Sequence, residues 1–200
     1  MKIVIAYEAN ETTSQTGMNI LVWPDSAMIR SGKPLFIPDG EMYLLPGFVA
    51  RINSVGKSIR YKFAQRYYDE IAPAAFILPR SAATRIEDRQ DPTANDIAAD
   101  YSIICGDFTE CARLYAKPEG IRLDIEMARL GSSENVTSES LHIENLEEII
   151  NQALVTASVR NTVKTGDLTG FIFDKSFSVV PDTRLTMKID GKVLMKNNLK

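Results

Sequence analysis

The sequence predicts a strand-rich α+β or mixed β fold. Three features point there. Apolar runs are mostly short and bounded by proline, glycine or charge. Only two stretches, residues 57–71 and 146–158, carry apolar side chains at helical spacing. Near the end, Asp190-Gly191 separates two alternating runs, the strongest hairpin signal in the chain.

Taken in order, residues 2–7 read as a buried opening strand and residues 8–17 as a polar loop. Residues 19–23 form a short strand stopped by Pro24, and residues 33–40 carry Pro34, Pro38 and an Asp39-Gly40 turn. Residues 48–53 are strand-like. The first helix is expected over 57–71, with Ile59, Phe63, Tyr67 and Ile71 as its apolar stripe and Pro73 as its stop. Residues 74–78 follow as a buried strand, and the charged segment 80–95 as an exposed excursion. Residues 101–105 and 121–127 are strands. In the second of these, Arg122, Asp124 and Glu126 alternate with apolar residues, as a half-exposed antiparallel strand requires. The second helix spans 146–158. Asn145 and Glu148 resemble a capping box, and Glu147 and Glu148 suit the positive end of the helix dipole. The runs 184–189 and 192–195 flank the closing turn.

Two hundred residues, 44% of them apolar, suffice for one domain with its own core. Residues 1–40 read as a small N-terminal portion and 41–200 as the main body. A net charge of −3 argues against nucleic-acid binding. The local basic run of Arg51, Lys57, Arg60, Lys62 and Arg66 reads as a solvated face. Cys105 and Cys111 match neither a redox nor a zinc spacing and read as buried thiols in a reducing compartment. No stretch is apolar enough for a membrane helix, and the opening apolar run is too short for a signal peptide, so a cytoplasmic protein is expected.

Generic chemical motifs are missing: no phosphate loop, no nucleophile elbow, no zinc helix. The single histidine, His142, reads as a partly exposed loop residue. Asp124 and Glu126 share a strand face and, with a third acid such as Asp100, are candidates for a hard-cation site; a solvated face is the plainer reading.

Two longer stretches carry a resemblance. Residues 23–39 (WPDSAMIRSGKPLFIPD) and 50–70 (ARINSVGKSIRYKFAQRYYDE) resemble the fumarylacetoacetate hydrolase family, as do residues 96–108 (DIAADYSIICGDF), 164–168 (KTGDL) and the closing segment 182–200. The resemblance implies the family's mixed β-roll, commonly assembled as homodimers. It also implies Mg²⁺- or Mn²⁺-dependent chemistry on acylpyruvate or other 2-oxo acid substrates.

The positions that would carry this chemistry are altered. The family's E-x-E metal ligands fall on Leu45 and Gly47, and its third acidic ligand on Phe76. The active-site lysine falls on Ala99, a second lysine on Trp23, and of the T-A-R-D motif only Arg80 remains. The segment that supplies a histidine reads Tyr7-Glu-Ala-Asn-Glu11 and has none, and the T-G-T-P order is broken after Leu168. A divalent ion needs carboxylate oxygens to polarise a 2-oxo acid, and Leu, Gly and Phe offer none. The expectation is therefore a pseudoenzyme with no catalytic or metal residues and no cofactor. Trp23, Leu45, Gly47, Phe76, Arg80 and Ala99 would mark its vestigial pocket. It would serve as a binding, regulatory or structural subunit, as a homodimer or with an active relative. The alternative is a metal-dependent hydrolase or decarboxylase with a rearranged site.

Overall fold

The computed structural model describes residues 1–9, 17–93, 97, 100–132 and 134–200. Its strands are β1 (Lys2–Glu8), β2 (Met18–Pro24), β3 (Met28–Arg30), β4 (Met42–Ile52), β5 (Tyr68–Pro79), β6 (Ile103–Cys105), β7 (Thr109–Glu110), β8 (Ile121–Arg129), β9 (Asn135–Ile143), β10 (Leu168–Ile172), β11 (Phe177–Ser178), β12 (Thr183–Ile189) and β13 (Lys192–Leu199). The helices are α1 (Arg80–Glu87), α2 (Cys111–Tyr115) and α3 (Leu146–Arg160).

Among the described residues, nine strands make one mixed sheet, ordered β2-β1-β10-β4-β5-β6-β3, with β11 added along β4 and β7 along β5. The pairs β1–β10 and β3–β6 are parallel and the others antiparallel. Its two edge strands, β2 and β3, are joined only by a 3-10 turn at Asp25–Ala27. So short a connection spans at most about 14 Å. The edges must therefore approach one another, and the sheet curls into a roll. The remaining strands form an antiparallel sheet, β13-β12-β8-β9.

Side-chain alternation assigns the two faces of the roll. Leu45 and Val49 of β4, with Ala72, Ala74, Phe76 and Leu78 of β5, face a buried cluster that also takes Ile3 and Ile5 of β1 and Trp23 of β2. This is the roll interior, and α1 lays Ala82, Ala83 and Ile86 against it. Leu44, Phe48, Ile71 and Ile77 face the other way. They pack with Leu123, Ile125, Met127, Leu185 and Met187 of the second sheet and with Leu154 of α3. Burial on both faces explains why β1 and β5 read as continuous apolar runs. Each fully buried large apolar side chain contributes about 1.5–3 kcal/mol.

Most expected elements form. β1, β2, β4, β6 and β8 lie where strands were read, and α3 begins and ends within two residues of its expected bounds. Asn145 precedes α3 without a side-chain capping bond, so the capping box does not form. The closing hairpin turns at Asp190 (φ 49°) and Gly191 (φ 80°), the paired positive dihedrals of a type I′ turn. β1 and β2, from the first forty residues, pair into the same sheet as β10.

Four further expectations are corrected. Residues 57–71 form no α-helix: a 3-10 helix covers Tyr61–Tyr67, and β5 already runs from Tyr68. Ser58 sits at φ 50°, a conformation a right-handed helix cannot contain. Pro73 does not stop a helix; it lies within β5, where the partner on one side changes from β7 to β6 and a missing N–H is tolerated. The expected excursion begins as the helix α1 at Arg80–Glu87, because its three apolar residues close the roll interior, and residues 88–91 beyond it are exposed as expected. His142 lies in strand β9, opposite Arg122, not in a loop.

Candidate functional site

The roll interior is where β4 and β5 bring the expected site positions together. Leu45 and Phe76 are direct cross-strand partners, both fully buried. Trp23 reaches them because the sheet is curled: its ring lies 6.0 Å from that of Phe76, tilted by 38°. Trp23 is 1% exposed, and its indole N–H donates to the Ile97 carbonyl at 2.8 Å. The one polar atom of that ring is thus satisfied, which a buried indole requires.

Gly47 stands two residues along β4, on the same face as Leu45. A Cβ built there would collide with the Phe171 carbonyl oxygen and lie 2.9 Å from Phe76 Cε2. No side chain, and so no carboxylate, fits at position 47 while β10 and Phe76 keep their places. Arg80 stands apart: its exposed guanidinium pairs with Glu41 at 2.8 Å. Its charged form is favoured by that hydrogen bond and by the Glu41 charge. Ala99 lies outside the described residues.

One polar group at this cluster was not singled out from the sequence. Tyr7, buried on β1, donates its hydroxyl to Asp91, which also accepts from Asn19 Nδ2 at 2.5 Å. Burial and the Asp91 acceptor both push the Tyr7 pKa up, so the hydroxyl stays a donor. Only the length of the loop between Glu87 and Asp91 and the folding of β1 bring these residues together. Cys105 also lines the interior, and burial raises its thiol to about 12, so it is inert as a nucleophile near neutral pH.

The acids of β8 make no cation site. Asp124 accepts from Ser140 at 2.5 Å and pairs with Arg122 at 3.0 Å, while Glu126 pairs with Lys188 at 2.6 Å. Each carboxylate already meets a cation on its own sheet. Asp100 lies elsewhere, beside Tyr101 and Phe36. Among the described residues, no three His, Cys, Asp or Glu side chains are grouped to hold a metal ion.

No family model matches this sequence, and no curated protein sequence matches it. Solved structures do match in fold. A Yersinia pestis CO92 protein assigned to the fumarylacetoacetate hydrolase family superposes with a TM-score of 0.76 at 15% identity, covering 100% of this chain and 92% of that one. This is the fumarylacetoacetate hydrolase fold. Fumarylpyruvate hydrolase from Pseudomonas aeruginosa, solved with Mn²⁺ and pyruvate, shares the fold at TM-score 0.71 and 18% identity, covering 100% of this chain and 89% of that one. So does 5-carboxymethyl-2-hydroxymuconate delta-isomerase from Mycobacterium smegmatis, at TM-score 0.72 and 12% identity over 99% and 76% of the two chains. Within a fumarylacetoacetate hydrolase fold, the residues at positions 45, 47 and 76 do not fit a divalent metal, since they present no oxygen donor from a side chain. No described helix is long and apolar enough to cross a membrane.

Proposed function

We propose that this chain is a non-catalytic protein on the fumarylacetoacetate hydrolase scaffold, acting as a binding or regulatory subunit. One observation carries the reading: the cross-strand pair Leu45–Phe76, closed over by Trp23, fills the roll interior with apolar side chains. A metal-dependent reaction on a 2-oxo acid requires oxygen ligands at fixed positions and a dry but open cavity for the substrate. Here Trp23, Leu45 and Phe76 pack together as buried apolar side chains, and a bare carboxylate beside them would be costly. The scaffold then serves its partners through its surface, as a symmetric dimer or beside an active relative, within the cytoplasm.

The test is a calorimetric titration with Mg²⁺ and with Mn²⁺ in the presence of oxalate, a dianion that mimics a metal-chelated 2-oxo acid enolate. The expected result is no saturable heat at millimolar metal. Saturable one-to-one binding would overturn the reading and direct work to acylpyruvate substrates. The regulatory role is tested by affinity capture from the native host, where a catalytically competent relative of the same fold is the expected partner.

A further inference from the structure

A cavity lies away from the roll interior. Side chains alternate along β5, so Ile77 points to the opposite face from Phe76. Beside Ile77 opens a cavity of about 290 Å³. Its floor is made by the buried residues Leu35, Met42 and Ile77. Its mouth carries Phe36, Tyr101 and Asp100; the two aromatic residues are 72% and 58% exposed. Among the described residues, no lysine, arginine or histidine lines it.

Tyr101 is held in place at some conformational cost. Its φ is 58°, in the left-handed region that residues with a Cβ adopt with strain. Two backbone bonds fix it there: the Tyr101 N–H donates to the Ser26 carbonyl at 3.1 Å, and the Ile77 N–H to the Ser102 carbonyl at 2.7 Å. The strained backbone thus presents an aromatic ring to solvent at the rim of an apolar cavity, next to a carboxylate. Apolar floor, aromatic rim and one negative charge together select a ligand by its chemistry. An anion would meet the Asp100 carboxylate with no compensating cation. A neutral molecule would gain nothing from it. A cation gains from the carboxylate and from the negative faces of the rings.

We propose that this cavity binds a small organic cation, its apolar body seated on Leu35, Met42 and Ile77 and its ammonium head held by the Tyr101 ring and the Asp100 carboxylate. The site is independent of the roll interior and stands whether or not that interior is catalytically inert.

The experiment is an NMR titration of the whole chain with three probes of similar size: benzyltrimethylammonium, benzyl alcohol and phenylacetate. Benzyltrimethylammonium is expected to saturate shifts at Tyr101, Phe36 and Met42, with the alcohol weaker and phenylacetate weakest. Tyr101→Leu should weaken the cation about three- to tenfold, and Asp100→Asn about fivefold. Both sites are exposed, so thermal unfolding should stay at the wild-type midpoint. Absence of saturable shifts, equal binding of the three probes, or unchanged affinity in both variants would overturn the proposal. Sedimentation of Phe36→Ser supplies the remaining outcome: if it converts a dimer to monomers, the cavity is a seam between subunits and the cation site is wrong.

Discussion

At the scale of single residues, the interior of the roll is decided by close approach. Gly47 has no room for a Cβ because the Phe171 carbonyl and the Phe76 ring already occupy that space. Gly47→Ala is therefore expected to destabilise the chain by about 1–3 kcal/mol, as overpacking does. Phe76→Ala should cost about 3–5 kcal/mol, because it leaves a cavity among Trp23, Leu45 and α1. Urea unfolding monitored at Trp23 reads both, and a stable Gly47→Ala protein would show that β10 can move aside. That Leu45, Gly47 and Phe76 carry no side-chain oxygen was legible in the sequence. That these residues touch was not, since 31 positions separate Leu45 from its partner Phe76. Tyr7 and Asp91 illustrate the same limit from the polar side. Nothing local relates them, and only the folded roll makes them donor and acceptor.

At the scale of elements, local signals succeeded where neighbours in sequence are also neighbours in space. The terminal hairpin is such a case: Asp190-Gly191 dictates its own turn, and β12 and β13 pair across it. Gly191→Val places a β-branched residue at φ 80° and should lower stability by about 1–2 kcal/mol in chemical denaturation, whereas Gly191→Asn should cost less. α3 was legible for the same reason: its apolar stripe and its acidic first turn lie within one segment. The expected helix at 57–71 failed because its apolar spacing serves two different structures. Ile59 packs beside a 3-10 helix, and Ile71 belongs to a strand paired with Ala50 of β4. Long-range pairing outweighed a local periodicity that was real but divided between elements.

At the scale of the molecule, β1 is tied to the segment that precedes β10 by charge. Asp167 accepts from the backbone N–H of Lys2 at 2.9 Å and of Lys164 at 3.0 Å, and its carboxylate lies 3.2 Å from the Lys2 ammonium. Burial alone would push the Asp167 pKa up, but these donors and the Lys2 charge outweigh it and hold the pKa below its ordinary value. The folded state therefore binds this proton less readily than the unfolded chain. The stabilisation is complete above the unfolded carboxylate pKa and disappears as pH falls through the folded one. Urea midpoints should fall between about pH 5 and pH 3, and Asp167→Asn should flatten that fall. Equal slopes for the two proteins would show that this half-buried ion pair does not couple to folding. By itself, the sequence determined the strand-rich class, the closing hairpin and α3, because each is a matter of residue type within a short span. Only the tertiary structure decided that the sheet curls, that Trp23 meets Phe76 inside it, and that Ile77 opens on a separate cavity. Those are contacts between residues far apart in the chain, and their geometry follows from which edges a three-residue turn forces together.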